Sequence, residues 1–231
     1  MTTKLDIMDI PDPEAALKTS LGKLKLDYVD LYLIHWPQTP FDKEKKEHVK
    51  IPLYKTWARM EGLVKAGLTK AIGISNFNCQ LTLDLLSYAE IKPAVNQFEI
   101  HPYLSQKDAV EWYKKMGITP EAYSPLKSPG SVLLDGVKRM DTRNLLEEPV
   151  VKELAEKYGK TKGQIILNWG LARGHVIIPK SSSKARQIEN LESYKFKMEP
   201  EDVEKLTELN CGDRWCNVQG FDSLGNFPCF C

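Results

Sequence analysis

Long apolar runs are missing from this 231-residue chain. Nowhere do about 18 apolar residues follow one another, so no segment reads as a membrane-crossing helix. Charge imbalance is missing too. Lys and Arg number 32 against 31 Asp and Glu, which excludes a global field that steers toward nucleic acid or an anionic membrane and makes any anion site a local one. Metal-ligand spacing is also lacking. Cys79, Cys211, Cys216, Cys229 and Cys231 are odd in number, show no CxxC pair, and put four of the five in the last 21 residues. No metal site is expected, and a reducing setting is the simpler reading. The opening stretch, MTTKLDIMDIPDPE, holds acids and prolines where a signal peptide would hold an apolar core. The expectation is a soluble, cytoplasmic protein. There is no internal repeat, low-complexity tract or linker, so one domain is expected over residues 1–231, with a tail at 211–231.

What the chain does have is a 42% hydrophobic content, enough for one sizeable core. Apolar, β-branched runs at 28–34, 71–75, 94–100, 117–124 and 176–179 read as strands, whereas Lys4 in Thr2-Thr3-Lys4-Leu5, taken alone, reads as a solvated surface charge. Helical periods begin after Asp12, Pro52, Asn78, Ser105, Glu148-Pro149, Thr161, Ser183 and Pro200. Short buried strands alternating with helices imply a parallel sheet. Residues 37–52, 127–144 and 211–231 have neither period and read as loops closing over a site.

Chemistry-bearing residues collect at strand ends. Lys70-Ala71-Ile72-Gly73-Ile74-Ser75-Asn76-Phe77 delivers two adjacent polar side chains to a strand terminus. Gln97 ends another strand, and side-chain amides such as those of Asn76 and Gln97 suit a carboxamide. His35 follows Asp30-Leu31-Tyr32-Leu33-Ile34 and shares a face with Leu31 and Leu33, while Tyr32 and Trp36 take the opposite parity. A neutral imidazole there would donate a hydrogen bond to a carbonyl oxygen; it also reads as a satisfied core histidine. Tyr123, in Ala122-Tyr123-Ser124-Pro125-Leu126, can stack on a flat ring. Glu121 shares its parity, which places an acid inside. Lys180-Ser181-Ser182-Ser183 with Arg186 and Asn190 places hydroxyls and cations at a helix start. That suits a phosphate monoester, and it also reads as an N-cap before a solvated face.

From Thr2 onward the chain resembles the aldo-keto reductase family, most closely its aldose and xylose reductase branch. The run Met60 to Phe77 fits the mid-chain signature. Ile178-Pro179-Lys180-Ser181 with Arg186, Glu189 and Asn190 fits the C-terminal one, with Ser193 at its closing apolar position. Leu31 to Pro37, Asn96 to Tyr103 and Ala122 to Leu126 are further matches. The resemblance implies an α/β fold, a (β/α)8 TIM barrel that holds extended NADPH (or NADP+) without a Rossmann fold and reduces aldehydes or ketones to alcohols. Ser75, Asn76 and Gln97 would hold the carboxamide and Tyr123 would stack on the nicotinamide. Ser124, Leu126 and Ser128 would line the pyrophosphate. Lys180, Ser181, Ser183 and Arg186 would take the 2′-phosphate, with Glu189 and Asn190 at the adenine. His35 would orient the substrate carbonyl, Trp36 would wall the pocket with Phe221 and Phe227 of the tail, and Lys4 would match the lysine that lowers the pKa of the family's acid tyrosine.

The family pattern puts that tyrosine and an Asp in two β/α units before the lysine strand, and no Gly-aromatic-Arg-x-x-Asp signature occurs here. The expectation is therefore an incomplete barrel with six strand-helix units of eight, a truncated form of a full-length reductase. The complete form would be a monomer, and the incomplete one would be prone to associate through exposed barrel edges. Tyr28, Tyr32, Tyr54 and Tyr113 are expected to point away from His35 and not to replace the acid. Three functional readings follow: an NADPH-dependent carbonyl reductase of small-molecule substrates; a catalytically silent NADPH-binding or subunit protein, comparable to channel β subunits of the same fold; or a domain-swapped or unfolded fragment.

Overall fold

The computed structural model describes residues 1–127 and 143–216; Ser128, Phe221, Phe227, Cys229 and Cys231 lie outside them. The elements run β1 (Thr2–Leu5), α1 (Pro13–Leu24), β2 (Val29–Ile34), β3 (Phe41–Asp42), β4 (Glu47–His48), α2 (Leu53–Lys65), β5 (Thr69–Ser75), α3 (Cys79–Leu86), β6 (Val95–Glu99), α4 (Lys107–Lys115), β7 (Thr119–Tyr123), α5 (Pro149–Tyr158), α6 (Lys162–Ala172), β8 (Val176–Ile177), α7 (Lys184–Leu191) and α8 (Pro200–Thr207). All eight expected helices form, and their starts are chemically marked. Asp12, Asn78, Thr161 and Ser183 each accept a backbone N–H of the first turn through the side chain, and Pro13, Pro149 and Pro200 open their helices. The loop expected at 37–52 instead carries a small antiparallel ribbon of β3 and β4. Two-residue strands around Asp42-Lys43-Glu44-Lys45-Lys46-Glu47 leave no alternation to read. None of the described helices is long and apolar enough to cross a membrane, and no cluster of potential metal ligands occurs among the described residues.

Contacts gather into two compact units. In the first, residues 1–97 with 111–119, parallel strands pair in register: Lys4 opposite Leu33, Leu5 opposite Ile34, Ile34 opposite Ile74, and Ser75 opposite Gln97. Its core is helix-facing. Leu5, Tyr32, Ile34, Ile72 and Ile74 pack with Leu17, Leu21, Trp57, Met60 and Leu85, as the parity of β2 requires. Tyr32 is fully buried there and its hydroxyl finds no partner among the described residues. Gly73 is required by close approach. A Cβ at that position would lie 2.7 Å from Leu33 Cδ2 and 2.7 Å from the Val95 carbonyl oxygen.

The second unit, residues 98–110 and 120–217, pairs β7 with β8 through Glu121 opposite Val176 and Ala122 opposite Ile177. Val151, Leu154, Ile165, Ile166, Trp169 and Leu206 form its buried helical layer. Its last helices are less covered. Val176, Ile178, Ile188, Leu191 and Tyr194 are exposed, and α7 buries none of its residues.

Candidate active and nucleotide-binding site

In the first unit, four predicted residues meet at neighbouring strand tips. Ser75 Oγ donates to the Gln97 carbonyl at 2.7 Å, and the Asn76 backbone N–H donates to the same oxygen at 2.9 Å. Asn76 Nδ2 then reaches the His35 carbonyl oxygen at 2.9 Å and Ser75 Oγ at 3.2 Å. Asn76 achieves this in a left-handed backbone conformation, φ 63°. Asn tolerates that region better than most residues. The sequence Ser-Asn after a strand therefore turns the chain sharply and stitches the ends of β2, β5 and β6 together. The His35 backbone N–H donates in turn to Leu5 of β1 at 3.1 Å, which brings the lysine strand into the same row.

The His35 ring is half-buried. Burial, reinforced by the Lys4 ammonium and partly offset by Asp6, pushes its pKa down to about 4. The imidazole is thus neutral at pH 7 and able to donate one hydrogen bond without carrying charge. Trp36 lies next to it, with ring centroids 6.0 Å apart. None of the candidate replacement acids approaches this pair. Tyr28 is exposed beneath the Lys70 ammonium, Tyr54 packs at the surface against Tyr88, and Tyr113 is bound to Thr82 and the Phe77 carbonyl. Tyr32 faces the helix layer.

In the second unit, Tyr123 ends β7 and Ser124 follows it at φ 49°. Burial, then the neighbouring Cys216 and Glu99, hold the Tyr123 phenol far above its usual pKa. Its neutral ring is suited to stacking. Glu121 is buried as its parity requires. Leu126 is half-buried in the turn that follows, and the buried Lys127 pairs with Asp213.

Glu99 escaped the sequence reading. It is fully buried, and its two carboxyl oxygens accept the backbone N–H groups of Trp215 and Cys216 at 2.7 Å each. His101 Nε2 lies 2.9 Å from Oε1, so that nitrogen carries the proton. The end of the 211–216 segment is thereby held against Tyr123. Cys216 is pushed up to about 11 by burial and by repulsion from Glu99, so it is a thiol at pH 7.

The remaining predicted residues gather at the start of α7. Ser183 caps the helix by accepting the Arg186 N–H, and Ser181 Oγ accepts the Ser183 N–H at 3.1 Å. Lys180 and Arg186 are exposed, and among the described residues neither has an ion-pair partner. Glu189 accepts from Thr161 Oγ1 at 2.5 Å, which ties α7 to the capping box of α6. Asn190 is half-buried beside it.

Parallel strands alternating with helices, with polar side chains at the strand tips, define a β/α-repeat protein. The aldo/keto reductase family model matches residues 11–211, and the chain belongs to that family, with a fold of its (β/α)8 type. It is 45% identical to Aldo-keto reductase family 1 member A1 of Gallus gallus over 209 residues, which are 86% of this chain and 62% of that protein. It is 41% identical to Aldose reductase B of Dictyostelium discoideum over 90% of this chain and 68% of the relative. Against the NADH-dependent D-xylose reductase of Candida parapsilosis the identity is 38%, over 98% of this chain and 75% of that enzyme. The chain thus spans less than two thirds of the length of the chicken relative.

Proposed function

We propose that this chain is an NADPH-dependent carbonyl reductase polypeptide that binds the phosphorylated nicotinamide nucleotide and acts on aldehydes or ketones. The observation that carries this reading is the strand-tip row in which Ser75, Asn76 and Gln97 are locked to His35 beside Lys4. The donor set fits the cofactor. Amides and a hydroxyl suit a carboxamide, the neutral Tyr123 ring suits the nicotinamide face, and Lys180, Ser181, Ser183 and Arg186 suit a phosphate, with Glu189 and Asn190 at the adenine. Ser124 and Leu126 are assigned to the pyrophosphate.

When bound, the nucleotide supplies the hydride. The protein's own contribution is to orient and polarise the carbonyl. His35, uncharged, donates one hydrogen bond to the carbonyl oxygen, and Lys4 adds a positive field where negative charge develops. Trp36 walls the pocket. A positioned acid contributes about 10² to 10⁴ in rate, and Tyr28, Tyr32, Tyr54 and Tyr113, the tyrosines weighed as replacements, are engaged elsewhere. That placement favours a second reading, nucleotide binding without turnover.

Titrating the protein with NADPH while following the cofactor's fluorescence, then adding an aromatic aldehyde and following its oxidation, separates the two. Saturable binding with turnover supports the reductase. Saturable binding with no turnover supports the silent protein, and no binding defeats both.

A further inference from the structure

Gln38 is 8% exposed, yet among the described residues neither Oε1 nor Nε2 of its side-chain amide has a hydrogen-bond partner. A buried polar group left unpaired costs about 1–3 kcal/mol, and native structures keep few of them without a reason. The buried Asn168 shows the ordinary arrangement, its amide donating to the Ser193 and Phe196 carbonyls.

Gln38 also lines a cavity of about 340 Å³ in the first unit, within the range of small-molecule sites. Ile10, Ile34, Trp36, Pro37, Ile51 and Leu53 make the apolar part of its wall, and among the described residues no Lys, Arg, Asp or Glu contributes. Beside Gln38 the polar lining includes Thr39 and His48. The His48 ring nitrogen Nδ1 is held 3.1 Å from the Thr39 carbonyl oxygen, and its ring packs edge-on to Phe41 at 5.2 Å. The ribbon of β3 and β4 therefore presents a fixed rim. Ile34 belongs to the helix-facing core and Trp36 shares its parity, whereas His35 has the opposite parity, so the cavity lies on the other side of the β2 end from the His35 ring and shares with the proposed substrate pocket the Trp36 wall.

We infer that this cavity is a second small-molecule site, one that takes an uncharged, largely apolar ligand bearing a primary carboxamide. A carboxamide is the head group that satisfies a side-chain amide at both ends, donating to Oε1 while accepting from Nε2. The apolar wall takes the hydrocarbon body. A charged head is disfavoured, because no Lys, Arg, Asp or Glu among the described lining residues would offset its desolvation.

Isothermal titration with 3-phenylpropanamide, in the presence of saturating NADP+, tests this against two molecules of the same shape: 3-phenylpropanoate and isopentylbenzene. Two net hydrogen bonds predict that the amide binds about tenfold tighter than the hydrocarbon, and that the anion does not bind. Gln38→Leu should abolish the preference, bringing amide and hydrocarbon level, while raising the melting temperature of the free protein by removing the orphaned amide. If Gln38→Leu fails to fold, Gln38→Met gives the same comparison with an unbranched side chain. Absence of saturable amide binding, an amide preference that persists in the variant, or competition with NADP+ would each overturn the assignment.

Discussion

At the scale of single residues, environment sets what His35 can do. Its pKa, lowered from 6.5 to about 4 by burial and the Lys4 charge, means the unfolded chain binds a proton at this side chain before the folded one does. Stability from this group is therefore undiminished above pH 6.5 and declines as pH falls toward about 4. His35→Gln should flatten that part of the profile. Urea unfolding of both proteins at half-unit steps between pH 7 and 4 measures it, and parallel curves for the two would show that His35 is protonated equally in both states. The residue's placement was legible in part. Its position at a strand end and its inward parity follow from Leu31-Tyr32-Leu33-Ile34, but the lowered pKa depends on Lys4, 31 positions earlier, which enters only through the pairing of β1 with β2.

At the scale of elements, the helices were the most legible part, because caps and opening prolines are local chemistry written into consecutive residues. The β3–β4 ribbon and the Glu99 clamp were not. The ribbon is too short to alternate, and Glu99 is satisfied by backbone N–H groups 116 and 117 positions away that carry no side-chain signature. Two substitutions probe this scale. Gly73→Ala would force a methyl group against Leu33 and the Val95 carbonyl and should destabilise the first unit by about 1–3 kcal/mol, the usual cost of overpacking; a denaturation midpoint within error of the parent would refute the close approach. Glu99→Gln leaves one acceptor where two N–H groups arrive and should loosen the 211–216 segment. Tryptic cleavage after Arg214 should then accelerate about tenfold or more, the equivalent of one lost charge-assisted hydrogen bond. An unchanged cleavage rate would mean that Glu99 does not hold the segment.

At the scale of the whole molecule, near-zero net charge leaves nucleotide recognition to local groups, and under the proposed function the choice between phosphorylated and unphosphorylated cofactor would fall on the start of α7. Relatives of about 40% identity differ here: the Candida parapsilosis enzyme is named for NADH, whereas a probable D-xylose reductase of Arthroderma otae is named for NAD(P)H. Fold and family therefore do not decide the preference. Lys180 and Arg186 are exposed and uncommitted to any ion pair among the described residues, so their charge is available to a phosphate. Arg186 can grip two phosphate oxygens at once, whereas Lys180 acts as a point charge. Lys180→Ala combined with Arg186→Ala should weaken NADPH by about tenfold to a hundredfold, each lost charge-assisted bond being worth about 1.5–3 kcal/mol before solvent screening reduces it. NADH affinity should change by much less, and the NADPH loss should shrink as salt is raised. Fluorescence titrations of both nucleotides at low and physiological ionic strength provide the readout. Equal losses for the two would move the 2′-phosphate away from α7, while a loss confined to NADPH would place the selectivity of the molecule in two side chains that the fold itself does not use.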